Sequence, residues 1–120
     1  MQWGSSWCMP TIKEIEELQN TMNCDWEWQG EGNTAYNGVA GIKITSKKAG
    51  FEGNSIFLPA AGYQYDNTFT NVGSSGVYWS SSIVSPGDKN VQSMGFNTNY
   101  WENYSGYRCF GYNVRPVFAE

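Results

Sequence analysis

The stretch from Gly76 to Val117 does most to limit what this chain can fold into, because two sets of residues are interleaved in it. One set has the marks of packed scaffold: Tyr78, Trp79, Val91, Met94, Phe96, Gly111, Val114, Arg115, Pro116 and Val117. From Asn90 to Asn97, Gln92, Met94 and Phe96 fall on one side of a strand by the period of two, and Val91, Ser93 and Gly95 fall on the other. The second set is Asn97, Asn99, Tyr100, Trp101, Asn103, Tyr104, Ser105 and Tyr107, which follows no core pattern. Tyr and Trp give large contact area at low entropic cost, while Ser, Asn and Gly adapt their hydrogen bonding. The segment reads as a ligand-binding face, and the rest of the chain reads as its support.

Composition narrows the class. The 120 residues suffice for one domain, 1–120, with a real core. Aromatics at 17 % exceed charged residues at 15 %, which is far from a disordered composition. The net charge is −4, and Lys47-Lys48 is the largest basic group, so nucleic acid is not an expected partner. No apolar run approaches a membrane span. Met1 to Gly4 lacks the basic start and apolar run of a signal peptide, which says little about compartment if the chain is cut from a longer precursor.

Chemistry-bearing residues are sparse. There is no His, and Cys8, Cys24 and Cys109 form no CxxC pair. One disulfide, Cys8–Cys24, with a spare thiol is one reading; three unpaired thiols is the other. Without His there is no Ser-His or Cys-His pair, and in the region of the binding face Asp66, Asp88, Lys89 and Glu102 are the acid–base candidates. No enzyme activity, metal or cofactor is expected. Asp66, Asn67 and Asn71 offer oxygen ligands, but their spacing is not that of an EF-hand loop.

In chain order, Thr11 with Glu14 forms a T-x-x-E capping box, and Ile12, Ile15, Leu18 and Met22 lie on one face of the helix that follows. Glu14, Glu16 and Glu17 read as a solvated face, and Trp3 and Trp7 as core or helix packing. Trp26 and Trp28 alternate with Glu27 on a short strand. Val39 to Thr45 and Ser55 to Leu58, closed by Pro59, make a hairpin. Gln64 to Gly76 reads as a polar loop. Val77 to Ser82 and Asn90 to Asn97 read as strands, Thr98 to Gly106 as a polar-aromatic loop, and Tyr107 to Phe118 as the last strand, with Gly111 a bulge and Arg115 an anchor.

Several of these stretches resemble one family. Trp7-Cys8-Met9-Pro10-Thr11 with Glu14, Glu17 and Leu18 resembles the W-R-L-P-T-x-x-E-W opening of formylglycine-generating-enzyme-type domains with the C-type lectin fold. Ile56-Phe57-Leu58-Pro59-Ala60-Ala61-Gly62 is similar to the I-x-L-P-A-A-G segment of the Fibrobacter major paralogous domain group, common in Bacteroidetes. Gly76 to Ser82, Val91 to Phe96 and Val114-Arg115-Pro116-Val117 resemble that group's C-terminal half. The closing pattern, over about 77–117, is also that of variable proteins of diversity-generating retroelements, in which template adenines are rewritten and the altered positions lie on the exposed ligand-binding face.

Carried over by residue, the resemblance assigns Gln92, Ser93, Asn97, Asn99, Tyr100, Asn103, Tyr104, Tyr107, Phe110 and Tyr112 to the varied positions. Trp101 joins the candidate face, and Cys109 falls among the varied positions. Val91, Met94, Phe96, Arg108, Gly111 and Val114 to Val117 match the fixed ones. Cys8 stands where the family has Arg. The sugar-binding calcium motifs E-P-N and W-N-D, and the paired copper-binding cysteines of the oxidase, have no counterpart. The implied architecture is α+β: a C-type lectin fold, with one or two helices, short antiparallel strands and long irregular loops. The implied function is a non-catalytic receptor- or adhesin-like module, extracellular, at a cell surface or on a phage virion, binding a macromolecule such as a protein on another cell or surface. The other reading is an interaction or structural repeat domain of a larger bacterial surface protein.

Overall fold

The computed structural model describes residues 2–3, 6–87 and 89–118, with Gln2, Trp3 and Tyr104 described by backbone alone. The acid candidate Asp88 lies outside the described residues, as do the side chains of Trp3 and Tyr104. After two short strands, β1 (Gln2–Trp3) and β2 (Trp7–Cys8), comes the helix α1 (Ile12–Gln19). Its capping box forms as the spacing predicts. The Thr11 hydroxyl accepts from the Glu14 amide at 3.3 Å, and the Glu14 carboxylate accepts from the Thr11 amide at 2.7 Å. Eight residues are too few for a helix to hold alone in water. Burial of Ile15 and Gln19, with Ile12 and Leu18 half-buried, ties it to the strands. Met22 does not share that face: the helix ends at Asn20, whose side-chain oxygen accepts from the Met22 amide, and Met22 is 83 % exposed.

From there every described element is a strand: β3 (Cys24–Gln29), β4 (Gly41–Ser46), β5 (Ser55–Pro59), β6 (Tyr63–Tyr65), β7 (Thr68–Thr70), β8 (Ser75–Ile83), β9 (Asn90–Asn97), β10 (Trp101–Tyr107) and β11 (Val117–Phe118). The described residues form eleven strands and one short helix, so the expected α+β class gives way to a mostly β architecture of several small sheets. The sequence carries one helical stretch, and two lengths expected as loop, around 63–70 and 101–107, are paired instead.

Two three-stranded antiparallel sheets build the core. In β3-β4-β5 the cross-strand rows Trp26–Ile44–Ile56 and Trp28–Ile42–Leu58 share a face. In β8-β9-β10 the rows Gly76–Phe96–Trp101 and Tyr78–Met94–Asn103 do the same. Ile15, Ile42, Ile44, Leu58, Tyr78, Met94 and Phe96 are buried together between these faces and the helix. Trp26 joins the two sheets, its ring edge-on to Phe96 and tilted against Trp101.

Three stretches differ from expectation. The residues from 64 to 76, expected as a loop, contain the β6–β7 hairpin, turned at Asp66 with φ 55°. Residues 101–107 are strand β10 rather than loop. Asn, Glu, Ser and Gly are poor strand formers, but seven paired residues against β9 override that preference. Conversely, 107–118 is no continuous strand. It touches the sheets at Gly111 and Asn113, and pairs again only at β11, which lies against β2. Pro116 has no N–H to give, and Val114, Arg115 and Pro116 are exposed. Trp7 is 46 % exposed and meets Phe118 edge-to-face, so it is not core. Among the described residues no helix is long and apolar enough to cross a membrane.

Candidate ligand-binding face

The side of β8-β9-β10 turned away from the helix carries Val77 and Trp79, Ser93 and Gly95, and Glu102 and Gly106. It is covered by side chains from two other stretches, the β6–β7 hairpin and residues 107–113. Backbone bonds hold both stretches. The Gln64 and Gly111 amides each donate to the other residue's carbonyl, at 2.8 and 2.7 Å. Asn113 clamps the second stretch: its side-chain amide donates to the Gly62 and Val77 carbonyls, and its carbonyl accepts from the Trp79 amide.

An aromatic cluster results, centred on Phe110. Tyr65, Tyr107, Tyr112 and Tyr63 lie with ring centroids 5.1, 5.9, 5.6 and 6.5 Å from it. Tyr112 in turn lies 4.3 Å from Trp79. Gly106 leaves the room for that contact, because a Cβ there would come within 2.7 Å of the Tyr112 ring. Burial raises the Tyr112 phenol above its usual range, with smaller contributions from Tyr63 and Cys109. The cluster is anchored at Tyr112 and open at Tyr65 and Tyr107, which are 56 % and 61 % exposed. Between them lies a concavity of about 390 Å³ lined by Tyr63, Tyr65, Thr70, Tyr107, Cys109 and Phe110.

Two further concavities adjoin this one. Tyr63 also lines a cleft of about 170 Å³ with Asn71, Ser75, Asn97, Tyr100 and Glu102, floored by Val77, Gly95 and Phe96. Tyr107 and Cys109 also line a hollow with Lys89 and Arg108. The face thus runs from an acidic end, through the aromatic cluster, to a basic end. A separate apolar cavity of about 350 Å³ lies between α1, β5 and β11. Its walls include the core residues Ile15, Leu58 and Met94, and the expected anchor Arg115 lines it with an exposed side chain.

The structure divides the candidate residues from the sequence. Tyr107 and Phe110 line the aromatic concavity, with Tyr112 stacked on Phe110, and Asn97 and Tyr100 line the small cleft. Asn99 is exposed in the turn between β9 and β10. Asn97 shapes that turn, its side-chain oxygen accepting from the Asn99 and Tyr100 amides at 2.8 and 3.1 Å. Gln92 is half-buried and donates to the Ile83 carbonyl at 3.4 Å. Ser93 cannot touch a ligand, since it is fully buried at the middle of the central strand. Trp101 and Asn103 lie on the opposite, helix-facing side, because β10 is a strand and alternates. Trp101 packs on Trp26, and Asn103 exchanges two hydrogen bonds with Gln19, at 2.7 and 3.0 Å.

Replacing Asn103 by Ala should therefore cost about 1–3 kcal/mol, since Gln19 is only 4 % exposed and would keep an unpaired amide. Urea unfolding measures this. A loss below about 0.5 kcal/mol would return Asn103 to the tolerant surface positions.

Tyr63, Tyr65, Asn113 and Glu102 are contributors the sequence reading did not place on the face. The alternation Tyr63-Gln64-Tyr65 was the available strand signal. The oxygen-bearing Asp66 and Asn71 have φ of 55° and 59°, which accounts for these residue types as turn formers. Among the described residues no three His, Cys, Asp or Glu side chains gather as a metal site. Cys8, Cys24 and Cys109 are free thiols, so the disulfide reading does not hold. Burial, then the neighbouring Asp25 charge, pushes the Cys24 thiol up, with Lys47 opposing. No protein-family model, curated protein or solved structure matches the chain.

Proposed function

We propose that the chain is a non-catalytic ligand-binding module, receptor- or adhesin-like, that presents the face from Glu102 through the Phe110 cluster to Lys89 and Arg108. The observation that carries this reading is the pair of exposed rings, Tyr65 and Tyr107, each set edge-on to Phe110, with the backbones beside Tyr65 and Phe110 pinned by the Gln64–Gly111 bonds. Exposed aromatic rings over an open concavity are what binding hot spots are made of. Holding them in place beforehand lowers the entropy lost on association. The resemblance of the closing segment to variable proteins of diversity-generating retroelements supports the same reading. Tyr107, Phe110 and Tyr112, which it assigns to varied positions, line or underlie the concavity. In that reading the ligand is a macromolecule met outside the cell, at a cell surface or on a virion.

The test is a matched pair, the native chain and the double variant Tyr65→Ala/Tyr107→Ala, on an array of glycans and extracellular proteins. Both substitutions are at exposed positions, so the Tm should stay within about 3 °C. Spots bound by the native chain should weaken about tenfold or more in the variant. Spots bound equally by both proteins would sink the reading, and so would a variant that no longer folds, which would make the rings packing rather than surface.

A further inference from the structure

We infer that the small cleft beside Tyr63 receives a cationic group, the ammonium of a lysine or the guanidinium of an arginine on the ligand; this rests on the binding-face reading above. Glu102 is the charged residue among those lining the cleft, and the others are Tyr, Asn, Ser and apolar side chains. Its position is set by pairing. Val77, Gly95 and Glu102 form one cross-strand row, and Ser75 and Asn97 form the next on the same face. Gly95 puts no side chain between Val77 and Glu102, so the row has a gap at its centre, and the cleft lies over it.

The walls suit a cation. Tyr63 and Tyr100 bring two aromatic rings to the opening, and a cation is drawn to a ring face. Asn71, Ser75 and Asn97 add side-chain oxygens able to accept from its N–H groups. At about 170 Å³ the cleft has room for the head of one side chain, not for an inserted helix. The backbone around it is held before any ligand arrives. Tyr100 is set by the Asn97 turn, in which the Asn97 amide also donates to the Tyr100 carbonyl at 2.9 Å. Asn71 is held by its own carbonyl, which accepts from the Ser74 and Ser75 amides. Tyr63 is held by the bridge of Gly62 to Gly76 and by edge contacts with Phe110 and Tyr112. The chain's own cations on this face, Lys89 and Arg108, are at the other end, where they would repel a second positive charge. The polarity of the face therefore directs a cation to Glu102.

The test is an NMR titration of the full chain with Nα-acetyl-lysine amide and Nα-acetyl-arginine amide, with Nα-acetyl-norleucine amide and methyl glucoside as neutral comparators. We expect saturable millimolar binding of at least one cation, with shifts at the Gly95, Asn97 and Glu102 amides that shrink as salt is added. Glu102→Gln should weaken it about fivefold at unchanged Tm, since Glu102 is exposed. The inference is overturned if neither cation shifts those amides, if a neutral comparator shifts them equally, or if Glu102→Gln binds as the native chain does. Should that happen while array binding still depends on Tyr65 and Tyr107, only the cation assignment falls. Should the titration succeed while array binding ignores those rings, the wider face falls and the cleft stands.

Discussion

Gly62→Ala should be strongly damaging for a single added methyl, costing about 2–5 kcal/mol, from roughly 1–2 for a left-handed alanine and about 1–3 for overpacking. Gly62 has φ 65°, and an added Cβ would come within 2.1 Å of the Thr70 carbonyl oxygen and 2.8 Å of the Val72 nitrogen. Both neighbours are backbone, so no side-chain rotation relieves the clash. Gly62 also donates to the Ser75 carbonyl and accepts from Asn113, so a shift there loosens the hairpin that carries Tyr63 and Tyr65. Gly50 is the internal control. Its φ is 88°, yet nothing lies within 4 Å of its Cβ direction, so Gly50→Ala should cost only the conformational part, about 1–2 kcal/mol. Thermal melts of the two variants side by side separate the terms. Equal losses would mean that the close approach at Gly62 does not constrain the fold.

Alkaline pH should produce the second large effect. The Tyr78 hydroxyl donates to the Pro59 carbonyl at 2.8 Å from within the core, and burial pushes its pKa up to about 12, with Arg115 opposing. In the unfolded chain a tyrosine titrates near pH 10. The folded state therefore keeps this proton where the unfolded state gives it up. The resulting stability is complete below about pH 10 and is lost as pH rises toward 12, on the order of 2–3 kcal/mol in all. Cys24 and Tyr112 are also raised, so their contributions have the same sign. Urea unfolding from about pH 8 to pH 11.5 should show the decline. In Tyr78→Phe the baseline should fall by about 1 kcal/mol for the lost hydrogen bond, and the slope above pH 10 should flatten. Parallel pH curves for the two proteins would contradict the assignment to Tyr78.

How far the sequence reveals this fold depends on how local each signal is. The Thr11–Glu14 box spans one helical turn, so its residues suffice to predict it. Strand β9 is legible from 90 to 97 because Met94 and Phe96 repeat with period two. Strand β10 is not, since its strand-favouring Trp101 and Tyr104 are three apart, off the period of two, and Asn103 and Gly106 disfavour strand until β9 lies beside them. That one missed strand changes the site. Alternation turns Trp101 and Asn103 inward, toward Trp26 and Gln19, while Glu102 takes the outward row. Ser93 is placed among the varied positions by the resemblance alone, and a central strand covered on both sides buries it. Tyr63 and Tyr65 escaped because their partner Phe110 is distant in the chain and is brought close only by the Gln64–Gly111 bridge.

The pairing of Cys8 with Val117 and Trp7 with Phe118 joins residues from the two ends of the sequence. Closing so long a loop costs little more than closing one half its length, about 0.6 kcal/mol per doubling. The strands that close it have only two residues each, so the joint returns little free energy of its own. So short a seam should add little to a folding nucleus, and local opening should cost least there.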